Sequence, residues 1–352
     1  MKNKYFHFCI TILTLIFVIS CTSDNQDDLP PPNRVTNVYA VGTEEIPSTP
    51  ANFFVPRVWK DSSAVINLTS IVRDADINSI FVSGSNVYTA GTEFYSTTSH
   101  IAKIWKNGVV SNLTDGTKSA TVNGIYVSGN DVYVVGSEKV SIGSRNSYAK
   151  IWKNGVGTNL TDGSKDAEAL GIFISGNDVY VCGNEEGNSV ITIAKYWKNG
   201  VPTNLTNGQN GAVANSIFVS GNNIYVIVNE NLPNSWKSMP KIWKNGVITN
   251  LTTGINDAYA YSIFVNENDT YAVGFENDSN GTHRAKIWKN GVGTSLAPGT
   301  QWGIARSVFV SNNDVYVGGN EGKFARIWKN GVPMNLNSGT FSAGVNAIYV
   351  AN

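Results

Sequence analysis

The chain has 352 residues, 41% of them hydrophobic and 11% aromatic, with 26 basic and 26 acidic side chains. That content is ample for a packed core and excludes a disordered chain, while a formal net charge of zero offers no basic surface of the kind nucleic acid requires. Three cysteines in this length exclude a disulfide-built scaffold.

In chain order, Lys2 and Lys4 precede an apolar run over residues 8–19, interrupted by Cys9, Thr11 and Thr14. This is the form of a signal-peptide core, too short to span a membrane comfortably. The following Val18-Ile19-Ser20-Cys21 resembles the lipobox of bacterial lipoproteins, where cleavage falls before the cysteine. The resemblance implies a signal peptide over residues 1–20 and a diacylglycerol and an acyl chain on Cys21, a multiple anchor that holds a membrane where one chain binds only reversibly. Residues 21–34 read as a tether, since three Asp, three consecutive prolines and Leu29 as the one large apolar residue cannot bury enough surface to pack. The acidic stretch over residues 23–28 resembles the lipoprotein export signals of the Bacteroidetes, which implies an outer-membrane lipoprotein exposed at the cell surface. Loss of Lys2 and Lys4 with the leader lowers the basic count by two, to a formal net charge of −2, so no nucleic-acid partner is expected.

Over residues 35–352 the chain repeats. Tryptophans recur at 59, 105, 152, 197, 243, 288 and 328, spaced by 46, 47, 45, 46, 45 and 40 residues. Each stands in a phrase such as Ala102-Lys103-Ile104-Trp105-Lys106-Asn107-Gly108, and in six copies the Asn-Gly leads into a Val and then a Leu. Two strands joined by a type I′ hairpin turn are predicted there, because Asn and Gly tolerate positive φ. The first copy has Asp61-Ser62-Ser63 instead, so its turn is expected to differ. Ser79-Ile80-Phe81-Val82-Ser83 and its equivalents supply another strand, and tyrosines at 39, 88, 133, 180, 225, 271 and 316 mark its partner. Four short strands per unit without a helical period predict an all-β, seven-bladed β-propeller with four antiparallel strands per blade.

The unit resembles a WD-type repeat, which implies strands A (Ile-Phe-Val), B (Tyr), C (Trp) and D from the inside outward. Trp-Lys stands in place of the Trp-Asp ending and the Gly-His position is missing, so strand order alone is carried over. The apolar triad of strand A is expected to be buried on both faces. The chain begins with an unpartnered B strand, residues 37–42, and ends with an unpartnered A strand, residues 346–350. The C-terminal strand is therefore expected to complete the N-terminal blade and close the ring.

Residues that recur once per blade read as scaffold, the Trp and Tyr above all. Cys182 occupies a strand B position held elsewhere by Val41, Ala90, Val135, Ile227, Val273 and Gly318, so it reads as a small buried hydrophobe. His100 and His283 hold matching positions before strand C, blades apart, and no metal-ligand spacing, phosphate loop or nucleophile pattern implies a metal or cofactor. Asp74, Asp76, Asp166, Glu168 and Asp257 are placed in D-to-A connections, where other copies hold Thr121, Ala214 and Ile304. Convergence of those acids near the axis would suit a glycoside hydrolase or lyase.

The B-to-C loops differ in length and content while the A-to-B and C-to-D turns are short and uniform, so the face carrying the B-to-C loops is the expected ligand face. Trp302 and Trp236 are the two tryptophans outside the repeat, one in a D-to-A connection and one in a B-to-C loop. They are the leading ligand-contacting candidates, extended by Phe94, Tyr95, Tyr259 and Phe275. These features point to a non-catalytic cell-envelope module for a polysaccharide, glycoprotein or envelope protein. A hydrolase or lyase, and a structural accessory of an outer-membrane complex, are the alternatives.

Overall fold

The computed structural model describes residues 36–46, 53–66, 68, 75–96, 99–189, 191–296 and 301–351, so Cys21, the leader, the tether and Asp74 lie outside the described residues. Twenty-eight strands, numbered in chain order, form seven four-stranded antiparallel sheets among the described residues. Six sheets use four consecutive strands, and each starts at the axis with its inner strand: β4 (Ala75–Ser83), β8 (Ala120–Ser128), β12 (Ala167–Ser175), β16 (Ala212–Ser220), β20 (Ala258–Asn266) and β24 (Gly303–Ser311). The seventh has the order β28 (Ala343–Ala351), β1 (Asn37–Ile46), β2 (Phe53–Lys60), β3 (Ser63–Ile66). The C-terminal strand thus completes the N-terminal blade, with Tyr39 opposite Tyr349 and Ala40 opposite Ile348. The chain is a seven-bladed β-propeller closed as a ring.

All six Asn-Gly turns are type I′, with Asn φ between 46° and 52° and Gly φ between 82° and 93°. Each Asn side chain also ties its turn to the neighbouring strand B, as where Asn107 Oδ1 accepts from Val87 N at 2.8 Å. The first copy does not differ as expected. Asp61 and Ser62 adopt φ of 48° and 70°, and Asp61 Oδ1 accepts from Val38 N at 2.8 Å. The register of the blade sets this turn, and Asp reproduces the asparagine's acceptor. Because a left-handed conformation costs an L-residue about 1–2 kcal/mol, the double substitution Asp61→Asn/Ser62→Gly is expected to stabilise the domain by about 1 kcal/mol in urea denaturation. An unchanged or lower midpoint would count against the strain.

The repeated tryptophans pack between blades. Trp59, Trp105, Trp152, Trp197, Trp288 and Trp328 are fully buried, and Trp152 shares a cluster with Tyr88, Ala90 and Ala102 of the preceding blade and Val122 and Ile125 of its own. Trp243 is the exception, half-buried with its ring 5.7 Å from Tyr196. The repeated cations are satisfied inside their own blades. The one two places before Trp pairs with a strand B glutamate, as in Lys103 with Glu93 at 2.5 Å, Lys150 with Glu138 and Lys195 with Glu185. The one after Trp stands over the strand B tyrosine, and in four blades it also reaches an aspartate at 2.7 Å, as in Lys153 with Asp131. Each repeated cation thus has a partner within its own blade. Cys182 is fully buried, and burial pushes its thiol far above the ordinary range, which suits a packing role.

The middle residue of the inner-strand triad is not buried on both faces. Ile80 and Val82 are buried between blades, whereas Phe81 is half-buried and belongs to a ring around the axis. Phe81, Tyr126, Phe173, Phe218, Phe264, Phe309 and Tyr349 touch in succession, with centroids 4.6 to 5.4 Å apart, and Tyr349 returns to Phe81 at 4.9 Å. Tilted rings at this spacing pair edge to face favourably.

Candidate functional site

The start of each inner strand lies beside the end of its strand B, as in Ala75 opposite Glu93, so the B-to-C and D-to-A loops share one face. Trp236 stands on that face in the loop between β17 (Asn223–Asn231) and β18 (Ser238–Lys244), 78% exposed. The loop is closed by a hydrogen bond from Leu232 N to Lys237 O at 2.9 Å. Trp302, 47% exposed, precedes β24 and accepts on its carbonyl from Gly322 N at 2.8 Å. Its neighbour Gln301 is pinned by Arg284, which donates to the Gln301 carbonyl at 2.9 Å and pairs with Asp278 at 2.6 Å.

The other aromatic candidates divide into two groups. Tyr259 and Phe275 stack at 6.5 Å, Tyr261 lies 4.9 Å from Tyr259, and Phe275 stacks on His283 at 4.0 Å. Phe275 is buried in this stack and supports Tyr259, whose phenol burial pushes up to about 12. Phe94 meets His100 edge-on at 4.9 Å and Tyr95 is exposed, both in the β4 blade. Among the described residues no ring contact joins Trp236 or Trp302 to either group. By position, however, Trp236, the Tyr259 stack and Trp302 fall in consecutive blades, those of β16 and β20 and the connection into β24.

The acids are not placed as the sequence reading has them. Asp76 and Glu168 lie within β4 and β12, because each inner strand begins earlier than the apolar triad suggests. Val213, not Ala214, is their equivalent in β16. Asp257 accepts from Ser238 N at 2.8 Å and so anchors a loop. Asp166 and Glu168 are the pair brought close: enclosure pushes the Glu168 carboxyl above the ordinary range, against a hydrogen bond from Asn123 Nδ2 at 2.9 Å, and the charge of Asp166 adds to the rise. Among the described residues no group of three or more His, Cys, Asp or Glu could hold a metal.

The sequence reading missed a feature on the axis. Every inner strand carries a β-bulge after its third residue, and the extra residue turns inward. Around the ring these residues are Asn78, Asn123, Leu170, Asn215, Tyr261, Arg306 and Asn346, and together with the residues that follow them they line a pocket of about 300 Å³. Along each strand the pocket lies between the loop face and the aromatic ring. Three asparagines bridge blades from here, Asn78 Nδ2 to Val122 O at 2.8 Å, Asn123 Nδ2 to Ala169 O at 2.9 Å and Asn346 Nδ2 to Ile77 O at 2.8 Å. The signal in the sequence was variation in an otherwise uniform phrase: the residue before the triad's leading Ser, Gly or Ala is Asn in four copies and Leu, Tyr or Arg in three.

No family and no curated protein matches the sequence. Among solved structures the chain is similar to Trypanosoma rangeli sialidase in complex with 2,3-difluorosialic acid, at 9% identity and a TM-score of 0.47, over 79% of this chain and 54% of that one. It is also similar to TolB from Acinetobacter baumannii, at 11% identity and a TM-score of 0.43, over 71% and 60% of the two chains. A GH43 endo-arabinanase from Bacillus licheniformis follows at 16% identity and a TM-score of 0.34, over 62% and 96%. The match thus spans about half the length of the sialidase and three-fifths of TolB. None of these likenesses bears on chemistry.

Proposed function

We propose that the protein is a non-catalytic binding module of the cell envelope, anchored through lipidated Cys21 and exposed at the outer cell surface, which captures a glycan or protein ligand on its variable-loop face. The observation that carries this reading is the exposure of Trp236 and Trp302 on that face, on either side of the β20 blade, while the repeated aromatics and cations are consumed by packing and intrablade pairing. A large exposed ring offers contact area with little side-chain entropy to lose. The test is a glycan array and an envelope-protein pull-down with the full-length protein. Trp302→Ala or Trp236→Ala, folded by circular dichroism, is expected to weaken capture by roughly ten-fold or more. Unchanged capture by both variants would move the site elsewhere. Cys21→Ser should at the same time abolish labelling of cells by a palmitate analogue, and retained label would refute the anchor.

A second reading, a glycoside hydrolase or lyase, draws support from Glu168, a carboxyl whose raised proton affinity suits a general acid. Turnover of an array glycan that Glu168→Gln abolishes would favour it. Capture of an envelope protein in place of any glycan would favour the structural-accessory role.

A further inference from the structure

Hydrogen-bond capacity in the axial pocket is divided between two sides. On the side of β16, β20 and β24, Ser216, Ser262 and Ser307 accept on Oγ from the backbone N of Ile263, Val308 and Ile348 at 3.2, 3.4 and 3.1 Å. Each hydroxyl has thus engaged a lone pair and keeps its proton to donate. Asn215 accepts on Oδ1 from Tyr259 OH at 2.9 Å and from Asn229 Nδ2 at 2.8 Å, so its NH₂ is the group left to donate. Arg306 completes this side. Its guanidinium lies over the Tyr261 ring at 5.3 Å, and no carboxylate pairs with it among the described residues.

The opposite side is mixed: Ser79 Oγ accepts from Ile125 N at 3.1 Å and keeps its proton to donate, beside a set of asparagine acceptors. Asn78, Asn123 and Asn346 each donate from Nδ2 to a carbonyl oxygen of the next blade, and their Oδ1 atoms are left as acceptors. Leu170 adds an apolar patch beside them. Below this level comes the ring of aromatic side chains, whose members Phe81 and Phe309 are only half-buried.

We infer that the axial pocket binds a small polyhydroxylated carboxylate of the uronic-acid class. An unpaired guanidinium in a pocket selects an anion and repels a metal ion, and its planar fork matches a carboxylate. Sulfate and phosphate present acceptor oxygens in every direction and would oppose the asparagine oxygens. A hydroxylated carboxylate has acceptors at one end and hydroxyls that both donate and accept at the other, which suits a cationic side facing a mixed one. A volume of about 300 Å³ takes one such monosaccharide and not a buried polymer. The inference uses neither Trp236 nor Trp302 and stands apart from the loop-face reading.

The test is calorimetric titration of the full-length protein with D-glucuronate and D-galacturonate, against the methyl ester of glucuronate, acetate and sulfate. At least one uronate is expected to bind, with the ester, acetate and sulfate weaker by roughly ten-fold or more. Arg306→Gln should bring a similar loss without lowering the melting temperature, and Arg306→Lys a smaller one. Trp236→Ala and Trp302→Ala should leave the titration unchanged, so this result and that of the loop-face experiment fail separately. No binding of either uronate, equal binding of the ester, or sulfate binding more tightly than uronate would overturn the inference. So would indifference to Arg306→Gln. If that variant does not fold, the wild-type comparison of uronate with its ester decides alone.

Discussion

Removal of residues 345–352 should abolish cooperative folding of the whole propeller, not fray one end of it. The deleted stretch carries Val345, Ile348 and Val350, all buried, and Tyr349, which links Phe309 to Phe81 in the aromatic ring. It also removes two ties to neighbouring blades, Asn346 Nδ2 to Ile77 O at 2.8 Å and Ile348 N to Ser307 Oγ at 3.1 Å. Truncating a buried aliphatic side chain costs about 2–5 kcal/mol. Three such losses are comparable with the roughly 5–15 kcal/mol that stabilise an entire domain. The inner edge of β1 is laid open as well, with its backbone unpaired. Thermal and urea unfolding followed by circular dichroism should show no transition like that of the intact chain, and a synthetic peptide of residues 343–352 should restore it in part. A truncated protein melting at the original temperature would mean that the ring does not depend on this closure.

The second large effect is expected at Trp152. Its ring is 2% exposed and fills the space between two blades, against Tyr88 and Ala102 on one side and Val122 on the other. Trp152→Ala should cost about 3–5 kcal/mol in urea denaturation, because the blades on either side are rigid sheets that cannot collapse into the void. Trp243→Ala is the internal comparison: the same repeat position, only half-buried, and a smaller loss. Equal losses at the two sites would show that burial at this position does not set the cost.

Architecture was readable because its signals are local and each occurs up to seven times. A single Asn-Gly or a single Trp is weak evidence, but the same spacing repeated around a chain averages out every accidental match. Closure was readable from the two incomplete units at the ends. The turn at Asp61 and Ser62 was not, since its positive φ values follow from the pairing of Lys60 with Ser63 across β2 and β3 and from the bond to Val38, which the residue types alone do not announce. Asp76 and Glu168 were displaced from loop to strand for a related reason. A bulge adds one residue to each inner strand and breaks the alternation on which a strand boundary is judged. That same extra residue aims Asn215, Tyr261 and Arg306 at the axis, so the pocket was hidden by the defect that builds it. The loop-face tryptophans were legible as exceptions to the repeat, and the structure adds their exposure and their places on either side of the β20 blade.

The pairing of Asn37 with Ala351 has a practical meaning for handling the molecule. Both ends of the ring leave the disc side by side, next to the short A-to-B turns and on the opposite side from Trp236 and Trp302. A label, bead or sensor chip joined to either end therefore grips the plain side of the wheel and leaves the patterned side open to solution. Swapping the attachment from one end to the other should leave the presented side the same.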